Sequence, residues 1–549
     1  FFLDKEIKYL SGRLGCLRAA FEIKKKCFKE LRAYLAPNTG SFEEDDNRSK
    51  EKDQFHKLNI NTMPYKYNIT LAAMLGTNFT SSSIRWFKMG QRNEKPTRDE
   101  RRYFQETENL MYDVFEDSNL HPTLNNVYLE SQTYGTGAGY KVKDSKNVMR
   151  FRPLTIGEYF IEENIDGVVD VLYRYMDVDV RRLEQLFGYE KLPNKYKMLY
   201  KAGKFDSVIR VWHAIEPNME FLEAWDNPFN KPYTSTYFIE NERDGILEQK
   251  GTSFFPYFVA RWDKFGNDPY GVGIGITALG DIKMLQSYER DMAKASKKKI
   301  APPLRIDPSL KKSKVDSGSG KPTYTSMKDA VTPLFMVNYD VREARENIAA
   351  IQDRVFKYFY NDVFFAMLNT DKTMSATEAA ARNSEKMQML GAIVNRWQKD
   401  FLEPIIETTY IALGEKGKLP ETPDSLVGIN VDIDYHGLTF QSIDLADLAN
   451  VERFNVYAAN IEAISPGALD YVDGDFMLKY GGSKMDIPVD AIRSQDRVDL
   501  MREKRAEAQE QIARKEQAET FEKTAGGAEK LSKAGMTGDN ALAKMLEAA

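Results

Sequence analysis

ITALGDIKMLQSYERDMAKASKKK, residues 276–299, and DVREARENIAAIQDRVFKYFY, residues 340–360, decide how this chain is read. In the first, Ile276, Leu279, Ile282, Leu285, Tyr288 and Met292 return every three or four residues, while Asp281, Lys283, Glu289 and Lys294 mostly fall elsewhere. That period predicts a helix with one face for burial and one for water. In the second, Val341, Ala344, Ile348, Ile351, Val355 and Tyr358 follow the same rule, and Asp340 with Glu343 has the spacing of a capping box.

Between the two, Pro302, Pro303, Pro308, Pro322 and Pro333 forbid a continuing helix, and Gly318 and Gly320 supply a turn. The chain must leave the first helix, build something small and return. From Lys283 to Lys314, ten Lys or Arg stand against three acids, a surplus of seven inside a protein of net charge −5. Such a run points to a phosphate-rich neighbour; the plainer reading is a solvated face. Most of these cations are lysines, hydrated point charges that suit loose contact with a polyanion better than base readout.

At 549 residues the chain has room for roughly three or four modules of ~150 residues. A hydrophobic fraction of 42% makes a substantial core possible, and 77 basic against 82 acidic side chains argue against a wholly DNA-coating protein. Any nucleic-acid contact must be local. No apolar run approaches the ~18 residues of a membrane span. Phe1 and Phe2 are followed at once by charged residues rather than a signal-peptide core. The expectation is a soluble, intracellular chain with no membrane contact. Cys16 and Cys27 form no Cys-x-x-Cys pair and are expected to be free thiols in a reducing compartment.

Along the chain, residues 3–36 read as a helix with Leu14, Leu17, Phe21, Phe28, Leu31 and Leu35 as its buried stripe and Pro37 as its stop. Residues 59–79 are again helical, Trp86 and Phe87 anchor a strand or turn, and residues 97–133 give one or two helices interrupted at His121 and Pro122. From Tyr140 to Ala260 the period shortens toward two, predicting strands with one helix around Val180–Leu186, an α+β module. Ser375 and Glu378 have capping-box spacing, and Met387, Leu390, Val394, Trp397, Phe401 and Ile405 carry a stripe to about Gly414, with Pro404 predicting a kink. That helix would be ~58 Å long. Residues 427–444 alternate like a strand pair. Residues 445–516 are mainly helical around the IPVDAIRS break, and the tail from Thr520 is expected to be frayed or disordered.

Catalytic chemistry finds no positive support. GTGAGYK (Gly135–Lys141) lacks the Gly-Lys-Ser/Thr ending of a Walker loop and reads as a helix-to-strand turn; GVGIG (Gly271–Gly275) lacks the third dinucleotide glycine and reads as a strand-to-helix junction. His56, His121, His213 and His436 are isolated, with no His-Glu-x-x-His and no cysteine partner for zinc. Asp432 and Asp434 share a strand face and could hold a divalent ion, but are expected simply to be solvated. No nucleophile elbow or triad is present. No cofactor or metal is expected.

Several stretches resemble the portal, or head-to-tail connector, family of short-tailed bacteriophages. They are YLAPNTGSF (Tyr34–Phe42), SSSIRWF (Ser81–Phe87), YGTGAGY (Tyr134–Tyr140), YGVGIGITALGDIKMLQ (Tyr270–Gln286), KIAPPL (Lys299–Leu304), TMSATEAAARNSE (Thr373–Glu385) and FLEPIIE (Phe401–Glu407). Their order and separation match over most of residues 30–510. The family's usual Thr-Ala-Thr-Glu stands here as Ser-Ala-Thr-Glu, which keeps the cap chemistry. The terminal ~40 residues match no pattern.

The resemblance implies a predominantly helical α+β portal fold assembled as a homo-oligomeric ring, typically a dodecamer, at one capsid vertex of a virion assembled in the host cytoplasm. On that implication residues 1–275 are the wing, 276–299 the first stem helix, 300–339 the clip and 340–360 the second stem helix. Residues 361–374 are the tunnel loop, 375–444 a long wing helix and strand pair, and 445–549 the crown and tail. Ile282, Leu285, Ile348, Ile351 and Val355 would pack against neighbouring subunits. Lys294, Lys297, Lys298, Lys299 and Lys372 are candidate channel contacts to double-stranded DNA, with Asn369, Thr370, Asp371 and Lys372 forming the tunnel loop. Lys311, Lys312 and Lys314 lie in the clip. The implied partners are sequence-independent DNA, terminase, a tail adaptor, and capsid and scaffolding proteins. A nucleic-acid-processing enzyme and a passive tail or collar adaptor are the rival readings.

Overall fold

The stripe Leu14, Leu17, Phe21, Phe28, Leu31 and Leu35 is buried along one continuous helix, α1 (Phe2–Leu35), which ends just before Pro37 as expected. The computed structural model describes residues 2–42, 58–90, 97–144, 146–222, 227, 230–308, 310, 328–334, 341–368, 391–426, 432–435, 438–465, 467–485, 487, 491–493 and 495–534. The chain divides into two compact units, Phe1–Lys95 with Tyr103–Asn450, and Pro96–Arg102 with Val451–Ala549.

Next come α2 (Met63–Phe79), the short strand β1 (Phe87–Gly90), α3 (Arg98–Asp117) and α4 (Leu120–Tyr134). The break expected at His121 and Pro122 falls instead at Ser118 and Asn119. Pro122 lies in the first turn of α4, where its missing N–H has no intrahelical partner to lose. Gly135, with φ +93°, ends α4, and the chain enters β2 (Thr136–Asp144), so GTGAGYK is the helix-to-strand passage that its spacing suggests.

Two antiparallel sheets follow. β2 lies between β3 (Val148–Leu154) and β9 (Tyr257–Arg261). β4 (Tyr159–Glu163), β5 (Val169–Asp179), β6 (Val208–Pro217), β7 (Tyr233–Phe238) and β8 (Ile246–Thr252) form a meander in chain order. The sequence reading missed β7 and β8. β8 is an edge strand with Leu247 alone buried, and β7 buries Ser235 and Thr236, so neither shows apolar alternation. Two helices, α5 (Val180–Phe187) and α6 (Asn194–Lys201), stand where one was expected, the second preceded by Pro193.

Glu130 of α4 is buried, accepting the Ile156 N–H at 2.8 Å and the Thr155 hydroxyl. Burial pushes its carboxyl from 4.5 up to about 8. The folded state therefore keeps a proton that the unfolded chain releases, and stability from this group is lost as pH rises from about 4.5 through about 8. Glu130→Gln is expected to lose less stability than the unaltered chain between pH 5 and pH 8.5. Identical urea midpoint shifts in the two proteins would show that Glu130 is not a source of that slope.

The two helices quoted at the outset are α7 (Ile274–Ile300) and α8 (Val341–Tyr358), the latter running on through Phe359 and Tyr360 to α9 (Asn361–Leu368). The first half of the expected tunnel loop is thus helical. Between α7 and α8, β10 (Leu304–Ile306) pairs antiparallel with β11 (Val331–Pro333). The expectation that Ile282, Leu285, Ile348, Ile351 and Val355 face a neighbouring subunit is corrected: all five are buried within a single chain, at 0, 0, 6, 4 and 0% exposure. An amphipathic period says that a face is buried, and not against what.

Further on, α10 (Gly391–Trp397), a π-helical turn (Gln398–Leu402) and α11 (Glu403–Glu415) make one interrupted rod. The irregularity predicted from Pro404 appears as the wide turn just before it, since proline cannot donate back into that turn. Residues 375–390, and with them Ser375 and Glu378, lie outside the described residues, as does Asp340. The strand pair expected over 427–444 is corrected: β12 (Asp432–Tyr435) pairs with distant β1, and α12 (Leu438–Glu462) begins directly after it.

In the second unit, α13 (Gly474–Lys484) and α14 (Gln495–Ala534) flank the expected IPVDAIRS break. Arg502 grips Asp475 through both guanidinium nitrogens at 2.7 and 2.6 Å. The tail expected to fray from Thr520 continues as helix to Ala534.

Candidate nucleic-acid interface

The base of α7 is fixed by backbone contact that only glycine permits. A Cβ on Gly273 would come within 2.6 Å of both the Gln132 carbonyl oxygen and the Gly135 nitrogen, so GVGIG is packed tightly against the α4–β2 corner. This is the strand-to-helix junction expected, entered through a bridge between Asp263 and Val272. About three turns further along, Gln286 accepts the N–H groups of Ile60 and Asn61 at 2.8 and 3.0 Å and donates to the Asn61 carbonyl at 2.7 Å. Lys283 pairs with Glu30 of α1.

Full burial on α7 ends at Gln286, and the remaining fourteen residues, about 21 Å of helix, leave the protein body. α8 returns antiparallel to it. Arg354 near the end of α8 reaches Asp281 near the start of α7 at 3.0 Å, and the β10–β11 ladder joins the opposite ends. The result is a helical hairpin, anchored at one end and exposed at the other.

Lys294, Lys297, Lys298 and Lys299 all lie exposed on that outer stretch. Lys294 has Asp291 at 3.4 Å, and the last three occupy the final turn, where cations also offset the helix dipole. At 100° per residue Lys294, Lys297 and Lys298 share a face, whereas Lys299 turns away. Arg305 of β10, already part of the basic run, stays at this end, and the return of the chain brings Arg342 and Arg345 of α8 to it; the sequence reading missed these two because no local pattern joins residues forty apart. Lys311, Lys312, Lys314, Asn369, Thr370, Asp371 and Lys372 lie outside the described residues.

The alternative chemistries are placed elsewhere. His213 is buried against Ser235 and Tyr257, at 2.9 and 2.5 Å, and His121 contacts the Thr80 carbonyl at 3.1 Å. His56 and His436 lie outside the described residues. Asp432 and Asp434 stand opposite Gly90 and Lys88 on β12. Among the described residues no helix is long and apolar enough to cross a membrane.

The family of bacteriophage head to tail connecting proteins matches residues 8–492, most of the chain and every element of the hairpin. This chain belongs to that family. The connector is 29% identical over 556 residues to a "probable portal protein" of Bordetella phage BPP-1, covering 99% of this chain and 98% of that protein. It is 28% identical over 448 residues to the portal protein of Salmonella phage epsilon15, covering 79% of this chain and 80% of that one. Among solved structures, the virion of a native gene transfer agent particle aligns at a TM-score of 0.35 and 9% identity, over 82% of this connector and 98% of that chain. The resemblance carried by YGVGIGITALGDIKMLQ thus coincides with the segment in which the connector's α7 is seated.

Proposed function

We propose that this connector is the subunit of a portal ring, a dodecamer by family resemblance, that passes double-stranded DNA through a capsid vertex. The observation that carries the reading is the family match over residues 8–492, joined to near-full-length similarity to a phage protein named as a portal. In this reading α7 and α8 are the stem, β10 and β11 the base of the clip, and the helices of the second unit the crown. Terminase supplies the energy of packaging and a tail adaptor docks afterwards at the clip; the chain itself is a structural conduit.

Self-association has material to work with. The inward faces of α7 and α8 are consumed within the chain, but Met284, Tyr288, Tyr358 and Phe365 are 36 to 43% exposed. In the second unit Phe454, Val456, Tyr457, Tyr471, Phe476 and Leu478 are exposed as well. In this reading neighbouring subunits cover these side chains.

The outer lysines suit a cargo that must slide. Each is repeated around a ring, so even ~1 kcal/mol per contact, engaged simultaneously, would arrest the polymer. Hydrated ammonium groups set among carboxylates such as Asp291 give weak, sequence-blind attraction. Changing Lys297, Lys298 and Lys299 together to Glu is expected to leave particle mass unchanged and to reduce DNA packaged or retained several-fold. Normal packaging would remove these residues from the DNA path. Purified chain that stays at 62.9 kDa at every concentration would overturn the ring itself.

A further inference from the structure

Where the two antiparallel sheets meet, a buried chain of polar side chains contains no acid. Arg174, His213 and Tyr237 stand opposite one another on β5, β6 and β7 and so share one face of the meander. Tyr140 of β2 and Tyr257 of β9, themselves a cross-strand pair, pack their rings against that row. Arg174 Nε donates to the Tyr257 hydroxyl at 2.7 Å, that hydroxyl meets His213 Nδ1 at 2.5 Å, and His213 Nε2 meets the Ser235 hydroxyl at 2.9 Å. His213 is 0% exposed and Tyr257 1%. The Tyr237 ring lies parallel to the imidazole, with centroids 3.9 Å apart.

Donor chemistry fixes the protons. A guanidinium can only donate, so the Tyr257 oxygen accepts from Arg174 and its own proton goes to His213 Nδ1; the imidazole is then neutral, with its proton on Nε2 toward Ser235. The groups that face it oppose a second proton. Arg174 of β5 and Lys250 of β8 are cations, Tyr140, Tyr237 and Tyr257 bring phenols, and Glu248 of β8 is paired with Lys250 and Lys191 at 3.3 and 3.6 Å. Among the described residues no carboxylate pairs with His213, Tyr257 or Arg174. Burial first, then the two cations, hold the imidazole well below its ordinary 6.5. A proton forced onto Nδ1 would face an oxygen already taken by Arg174 and leave the Tyr257 proton without an acceptor.

We propose that this chain of contacts is an acid-sensitive latch between the two sheets: protonation of His213 breaks the Arg174–Tyr257–His213–Ser235 relay, and β9 parts from the face of β5, β6 and β7. Because the closed form rejects a proton that the opened form accepts, closure is fully favoured above pH 6.5 and weakens as pH falls below it. The latch is independent of the DNA path and of the portal reading.

The test is hydrogen exchange of the full chain at pH 7.5 and pH 5.5, corrected for the intrinsic pH dependence of amide exchange and read by mass spectrometry in peptides spanning 208–217 and 257–261. Opening is expected to rise about tenfold at pH 5.5, the protonated-to-neutral ratio of an ordinary imidazole one pH unit below its pKa. In His213→Gln, whose amide oxygen and nitrogen keep an acceptor and a donor without titrating, no rise is expected. Every other titrating group, Glu130 included, is common to both proteins. If His213→Gln fails to fold, the pH profile of the parent decides, since an imidazole sets in at about 6.5 and carboxylates only near 4.5. A parent whose strands stay closed until pH 5, or a rise of equal size in His213→Gln, would overturn the latch.

Discussion

Ile348→Asp is expected to unfold the connector's α7–α8 hairpin in the isolated subunit, before any ring can form. Ile348 is 6% exposed within one chain. Deleting a buried isoleucine side chain costs about 2–5 kcal/mol, and a carboxyl placed there without a partner adds its own desolvation. A loss of about 4 kcal/mol or more is expected, read as a lower urea midpoint and rapid proteolysis near residues 340–360. Ala350→Asp, on the exposed face of the same helix, should stay within about 0.5 kcal/mol of the parent. If Ile348→Asp left the subunit stable and abolished only assembly, the intrachain packing of α8 would be wrong.

Gly135→Ala should weaken the seat of the same hairpin from the other side. Gly135 sits at φ +93°, a left-handed conformation that costs a residue with a Cβ about 1–2 kcal/mol. The added methyl would also strike the Gly271 carbonyl and come within 2.7 Å of the Val272 nitrogen, overpacking that typically costs about 1–3 kcal/mol. A combined loss of about 3 kcal/mol is expected. The control is Gly280→Ala on α7, where a Cβ meets nothing within 4 Å and removal of a mid-helix glycine should stabilise by roughly 0.5–1 kcal/mol. Equal midpoints for the two variants would contradict the close packing of GVGIG on the α4–β2 corner.

These two residues also mark how far local pattern reaches. Ile348 was legible as buried because helical burial repeats with the 3.6-residue period of the backbone, which sequence records directly. Gly135 and GVGIG were legible as turns because their backbones need room that a side chain would fill. The edge strand β8 was not legible, since a strand with one buried residue has no alternation to display. Nor was the partner of β12, because pairing with β1 joins residues more than three hundred positions apart.

Sequence by itself determined that two amphipathic helices flank a basic, proline-broken insert, and its ordered motifs pointed to the connector family. Periodicity and charge are properties of neighbouring residues and survive without a fold. Only the tertiary structure decided that the apolar faces of α7 and α8 are satisfied inside one chain. It alone decided that Arg342 and Arg345 of α8 join the lysines at the hairpin's outer end. The physical reason is the same in each case: a stripe or a charge specifies what kind of surface it needs, and the choice among surfaces is made by contacts between residues far apart in the chain.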